Sequence, residues 1–213
     1  MAHLKFNIEK LERLNDPGRF ETLPPDVFWQ ALGAPSGACA LVEIGAGTGV
    51  FAAAFASIAP QAVIYAADTV QEMLDWMHAN RPEVAAGRIV PVKAEETRVP
   101  LDDGIADAVY MINLHHELAS PAESYAEAFR LLEPGGRLLV VDWADCDTPK
   151  GPPRDVRVSA SALAQFLENA GFTGVEVDET TLPWHVMATA VRPGAGEDGA
   201  GCREGAPPPD PVI

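Results

Sequence analysis

The chain has 213 residues, 47% of them apolar, which is enough to bury one sizeable core and too little for two full domains. Its formal net charge of −16 argues against a nucleic acid or an anionic membrane as partner, because phosphate binding needs clustered Lys and Arg. No apolar run reaches the roughly 18 residues a spanning helix needs, and Met1 to Phe6 carries no signal-peptide core, so a cytoplasmic protein is expected.

Residues 7–15 put Ile8, Leu11 and Leu14 at helical spacing behind a capping Asn7, and Asp16-Pro17-Gly18 ends the pattern. A second helix is expected to start near Pro25-Asp26 and run through Val27, Phe28, Ala31 and Leu32 until Gly33 and Pro35 stop it. Together they form an N-terminal segment, 1–36, packed on or over the site as a cover for one end of the core or as a lid over a ligand.

From residue 39 onward, apolar runs alternate with helical patterns. Strands are expected at 40–44, 63–67, 89–93, 108–113, 137–142, 174–179 and 186–191, with helices near 50–58, 70–79, 122–132 and 159–170. Helical crossovers between the first five strands make them parallel. The short link 180–185 between the last two suits an antiparallel hairpin. The expected fold is α/β: a Rossmann-like three-layer sandwich over residues 37–193, with a seven-stranded, mostly parallel sheet whose last strand is antiparallel. Beyond Arg192-Pro193 the composition turns to Gly, Pro and acidic residues, so 194–213 is expected to be a disordered tail. Cys39, Cys146 and Cys202 are odd in number and in no CxxC spacing, which suggests free thiols.

The stretch Val42 to Gly49 reads as strand, glycine turn and helix start. Glycines at 45, 47 and 49 leave no Cβ to hold a ligand off the backbone N–H groups, and the helix adds its positive dipole end. Such a turn suits a nucleotide cofactor. A dinucleotide fingerprint, G-x-G-x-x-G, would need glycine at the position of Val50, and here Gly49 comes one residue early, which weakens an NAD reading. Asp68 follows Gly49 by 19 residues and closes the second expected strand, where a carboxylate can accept both hydroxyls of a ribose.

Glu43, Gly45, Gly47 and Gly49 resemble the acidic-x-Gly-x-Gly-x-Gly motif of the class I S-adenosylmethionine (SAM)-dependent methyltransferases. Thr69 to Leu74 looks like the family's next helix start, bordering the adenine, and Ala94-Glu95-Glu96 matches the contact with the adenine amino group, although Lys93 stands where the family often has Asp. Val99 to Asp107 resembles the family's "LPFPDxSFD" approach to strand four, and Leu131 to Leu138 its "LKPGGxL" turn into strand five. Phe6 to Arg19 ("FxxxKLxxLxxPxR"), with Asp142-Trp143 and Lys150 to Pro153 ("DW…KGPP"), is similar to small bacterial methyltransferases of the ubiquinone/menaquinone-biosynthesis type. The resemblance implies SAM as cofactor, a small-molecule methyl acceptor, and a monomer or homodimer. It implies a cofactor site from Glu43, Gly45, Ala46, Gly47, Gly49, Asp68, Thr69, Met73, Ala94, Glu95 and Asn113.

Methyl transfer from a sulfonium is an in-line displacement that asks the protein mainly to align two partners and exclude water. A base is needed only when the acceptor must lose a proton. Candidates at the carboxyl end of the sheet are His115, His116, Glu117, Asp142 and His185, with His116 taken as the base. Adjacent His-His-Glu side chains diverge and match no HExxH helix, so no metal is expected. Trp143 either lines the acceptor pocket or packs, and nothing beside Cys146 predicts a lowered thiol pKa. The acceptor pocket is expected from the N-terminal segment and residues 143–158. Two rival readings stand beside this one: a non-catalytic SAM-binding regulatory or assembly protein, and an NAD-linked oxidoreductase.

Overall fold

In the computed structural model, which describes residues 8–37 and 39–194, three helices precede the sheet. They are α1 (Ile8–Asn15), α2 (Arg19–Thr22) and α3 (Pro25–Ala31). Then β1 (Ala40–Ile44), α4 (Val50–Ile58), β2 (Val63–Asp68), α5 (Gln71–Asn80), α6 (Pro82–Ala85), β3 (Ile89–Lys93) and β4 (Ala106–Ile112) alternate. The chain continues through α7 (Pro121–Leu131), β5 (Leu132–Trp143), α8 (Ala160–Asn169), β6 (Thr173–Asp178) and β7 (His185–Val191). The strands form one seven-stranded sheet in the order β3-β2-β1-β4-β5-β7-β6. The pairs among β1 to β5 are parallel, and β7 runs antiparallel to both β5 and β6. The expected fold class and hairpin are therefore found.

Period-two alternation sends the strand side chains to two separate cores. Leu41, Ile64, Tyr110 and Val141 meet Phe28, Trp29, Phe51 and Phe55 of α3 and α4, with the Phe55 and Tyr110 rings 4.8 Å apart. Val109, Met111, Leu138 and Val140 meet Tyr125, Leu131, Leu163 and Leu167 of α7 and α8. The connection reverses direction between β1 and β4, so a crevice opens beyond their carboxyl ends, where open parallel sheets hold ligands.

Some boundaries differ from expectation. The fourth strand begins at Ala106 and releases Asn113, whose φ of 56° leaves the strand region. The fifth strand starts at Leu132 rather than 137: Leu132 pairs with Ala106 across an irregularity, and Gly135 N–H and Gly136 C=O bond to Arg192. The Pro-Gly-Gly turn is thus absorbed into a strand edge by pairings made far along the chain. Ser159 caps α8 by accepting from Ala162 N–H at 3.2 Å. Asn7, the Phe6 end of the N-terminal motif, Cys202 and all of the expected tail beyond Gly194 lie outside the described residues. Among the described residues, no helix is long and apolar enough to cross a membrane.

Candidate active site

The crevice holds a cavity of about 350 Å³, within the roughly 300–1,000 Å³ of small-molecule sites. Its organising group is Asp68, at the end of β2. Asp68 Oδ2 accepts the Gly47 N–H at 2.7 Å and Oδ1 accepts the Val70 N–H at 2.8 Å, so one carboxylate ties the glycine turn to the entrance of α5. These two bonds fix the carboxylate at the cavity wall. Gly45 and Ala46 N–H both bond to Ala67 O, which presses the turn onto β2. At Gly45 the φ is 76°, and a Cβ would lie 2.6 Å from Leu114 Cδ1, so only glycine fits.

Nearly every residue expected to hold the cofactor lines this cavity: Glu43, Gly45, Ala46, Gly47, Asp68, Thr69, Met73, Ala94, Glu95 and Asn113. Gly49 does not. It sits in the left-handed region at the start of α4, and a Cβ there would meet Met77 Sδ at 2.7 Å, so this glycine serves helix packing. Lys93 donates to Thr69 O, which gives the cation at that position a role in pinning the turn after β2. The backbone of Glu95 pairs with that of Arg98, and its side chain stands at the exposed rim.

Glu43 forms the floor, 2% exposed, with Oε2 accepting from Ala52 N–H (3.1 Å) and the Tyr110 hydroxyl (3.3 Å). Burial raises its pKa to about 8, outweighing those two bonds and the positive charge of Arg19, so the floor carboxyl holds a proton at neutral pH. On the β4 side, Asn113 donates its N–H to Val141 O at 2.7 Å, while its Oδ1 is buried without a hydrogen-bond partner among the described residues. An acceptor atom so placed beside the cavity is available to an N–H of a ligand.

The two histidines diverge, as adjacent residues should. His115 turns into the α7–α8 core, its Nδ1 paired with the Tyr125 hydroxyl at 2.7 Å, and burial lowers its pKa. His116 donates from Nδ1 to Asp142 Oδ1 at 2.8 Å, and the same oxygen accepts the Trp143 N–H. Burial opposes the charged imidazole, but the bond and charge of Asp142, with Glu117 beside it, outweigh that and hold the His116 pKa above its ordinary value. Its Nε2, 3.9 Å from Glu117 Oε1, is the nitrogen left to accept a proton. His116 itself does not line the cavity, whereas Asn113, Leu114, Glu117 and Leu118 around it do. His185 is buried against Trp143, ring centroids 4.3 Å apart, with Nδ1 bonded to Pro183 O.

Residues 143–158, expected to help form the acceptor pocket, do not line this cavity. That loop closes on itself: Arg157 bonds to the carbonyls of Ala144, Cys146 and Pro152, and its guanidinium lies 5.6 Å over the Trp143 ring. Trp143 is thereby a packing residue, and Cys146 is exposed and does not line the cavity. The outer wall comes instead from Leu14, Arg19, Val50 and Phe51. Sequence reasoning missed Arg19, although the N-terminal motif ends on it. Among the described residues, no group of three or more His, Cys, Asp or Glu is placed to hold a metal ion.

A glycine turn locked by a strand-end carboxylate at a topological switch point defines an α/β protein built for a nucleoside ligand. A methyltransferase domain family model matches residues 42–140. The chain is 27% identical over 147 residues to the demethylmenaquinone methyltransferase of Clavibacter sepedonicus, covering 68% of this chain and 58% of that protein. Over 106 residues it is 31% identical to the demethylmenaquinone methyltransferase of Deinococcus radiodurans, covering 48% and 42%. The crystal structure of a SAM-dependent methyltransferase from Aquifex aeolicus superimposes with a TM-score of 0.77 at 25% identity, covering 88% of this chain and 99% of that one. Over residues 42–140 and in fold, this chain is similar to the class I SAM-dependent methyltransferases. It spans about half the length of the curated relatives it matches.

Proposed function

We propose that the protein transfers a methyl group from SAM to a small-molecule acceptor. The supporting observation is that a single cleft gathers the glycine turn, the Asp68 carboxylate and the buried Asn113 Oδ1 around one cavity. SAM, when bound, supplies an electrophilic methyl on a sulfonium that leaves as a neutral thioether. The cavity-lining residues would hold it: Asp68 would take the ribose hydroxyls, Thr69, Met73 and Ala94 would border the adenine with Glu95 at its amino group, and Glu43, Gly45, Ala46, Gly47 and Asn113 would face the amino-acid end. Where the acceptor must lose a proton, His116 Nε2, which lies behind the cavity-lining Glu117, would serve as the base, with Asp142 holding its ring.

The relatives named as demethylmenaquinone methyltransferases support a quinone-like or other small aromatic acceptor. The formal net charge of −16 supports a partner set without nucleic acid or an anionic membrane, and the reading includes a cytoplasmic monomer or homodimer. Leu14 and Arg19 at the cavity support the N-terminal segment, 1–36, as a lid on the domain at 37–193. Incubation with SAM carrying an isotopically labelled methyl, across hydroquinones, phenols and carboxylic acids, tests this reading. Label is expected on at least one acceptor. Binding of SAM with no transfer to any of them would favour the non-catalytic alternative.

A further inference from the structure

The dyad of His116 and Asp142 stands behind the cavity wall. Neither residue lines the cavity, and their side chains are 13% and 0% exposed. The Nδ1 bond to Asp142 Oδ1 fixes the ring, so in the neutral imidazole the lone pair is on Nε2. Glu117 Oε1 stands 3.9 Å from that nitrogen, and Glu117 does line the cavity, with a side chain 58% exposed. Among the described residues no Lys or Arg forms an ion pair with this carboxylate. His115–Glu117 is a single turn of 3₁₀ helix, in which Glu117 N–H donates to Leu114 O at 2.9 Å and Leu118 N–H to His115 O at 3.1 Å. The backbone is thereby pinned, and rotation about the side-chain bonds of an exposed glutamate is enough to close the remaining gap of about 1 Å to hydrogen-bond distance.

The sheet order places this loop where the chemistry falls. Ala94 and Glu95 follow β3, Asp68 ends β2, and Glu117 follows β4, so a nucleoside with its ribose at Asp68 carries its reactive end away from β3 and towards Glu117. Of the lining residues that follow β4, Asn113 is an amide and Leu114 and Leu118 are apolar, which leaves Glu117 as the one that can take a proton. We propose that Glu117 is a further catalytic residue, whose carboxylate touches the acceptor, takes its proton and passes it to His116 Nε2. This rests on the methyl-transfer reading and supplies the contact that His116 itself lacks. In the step, the acceptor O–H bond breaks with its electron pair kept on oxygen, and that oxygen forms the new bond to the methyl carbon. The carbon–sulfur bond breaks with its pair on sulfur, and the proton comes to rest on the imidazole. Despite burial, Asp142 and Glu117 hold the His116 pKa above its ordinary value, so the ring keeps the proton it is given.

The test uses the full chain, SAM with a labelled methyl, and hydroquinone, catechol and phenol as acceptors, on wild type, Glu117→Gln and Glu117→Ala, with melting curves to show each is folded. Glu117→Gln is expected to cut kcat roughly 10²–10⁴-fold, with the acceptor KM and the affinity for S-adenosylhomocysteine within about threefold of wild type. Formate, a small free carboxylate, should restore part of the turnover of Glu117→Ala and leave wild type unchanged, which a merely structural role would not produce. Independently of turnover, proton NMR below the His116 pKa should show a downfield Nε2 proton in wild type that is lost in Glu117→Gln. A raised KM at unchanged kcat would make Glu117 a binding residue and overturn the relay. Turnover within about threefold of wild type in a folded Glu117→Gln would overturn it too, as would an Nε2 proton that is the same in both proteins. Wild type that labels none of the three acceptors overturns the reading of an aromatic hydroxyl acceptor, and the relay with it.

Discussion

Asp68 shows how much one side chain does in this site. It bonds two backbone N–H groups that belong to different elements, so Asp68→Ala should both weaken SAM by about 1–3 kcal/mol and lower the melting temperature. Calorimetry beside a melting curve separates the two, and an unchanged dissociation constant in a folded variant removes Asp68 from the ribose. Glu43 carries the pH dependence. Its folded pKa of about 8 lies above the ordinary 4.5, so the native state holds a proton that the unfolded chain releases. That contribution is fully present below about pH 4.5 and is lost as pH rises through 8, and Glu43→Gln should flatten this part of the stability profile. A cationic ligand favours the ionised carboxylate, so SAM affinity should rise with pH up to about 8 in wild type and stay level in Glu43→Gln. For His116, only the neutral imidazole accepts a proton. Turnover should therefore rise with pH through a midpoint above 6.5, and Asp142→Asn should move that midpoint down. His116→Ala should cut turnover roughly 10²–10⁴-fold with SAM affinity nearly intact, and turnover within about threefold of wild type would retire the base.

At the scale of elements, the N-terminal segment divides in two. Helix α3 is part of the core through Phe28 and Trp29, whereas α2 buries no residue fully and lies where Arg19 reaches the cavity. Arg81 ties the outer part down: its Nη2 donates to Asn15 Oδ1 at 2.6 Å, its Nε to Thr48 O at 2.8 Å, and its guanidinium rests 5.0 Å over Trp76. One side chain thus joins the end of α1 to the glycine turn. Arg81→Met should accelerate dissociation of S-adenosylhomocysteine while leaving the melting temperature within a few degrees, because the apolar core of α3 and α4 is untouched. Stopped-flow release rates check it, and an unchanged rate means that α1 does not close over the ligand.

Across the whole molecule, what was legible in the sequence is what neighbours in the chain decide. The strand–glycine–helix turn, the acid ending β2 and the alternation that makes a parallel sheet are all local patterns, and their residues meet in one cleft. What was hidden depends on pairing between distant segments. Asp142 becomes the partner of His116 only because β4 and β5 lie side by side, and β5 gains its first five residues by pairing with β4 and bonding to Arg192. How the loop 143–158 is tied down was equally hidden, since Arg157 bonds to the carbonyls of Ala144 and Cys146 more than ten residues earlier. Arg19 was named only as the last letter of a motif, since helical periodicity does not say where a charged tip ends. The central claim, that this cleft is a SAM site, is tested most directly by titrating the full chain with S-adenosylhomocysteine and, separately, with NADH. The account predicts saturable binding of the first, one molecule per chain, and none of the second. Binding of NADH, with no response to S-adenosylhomocysteine, would contradict it.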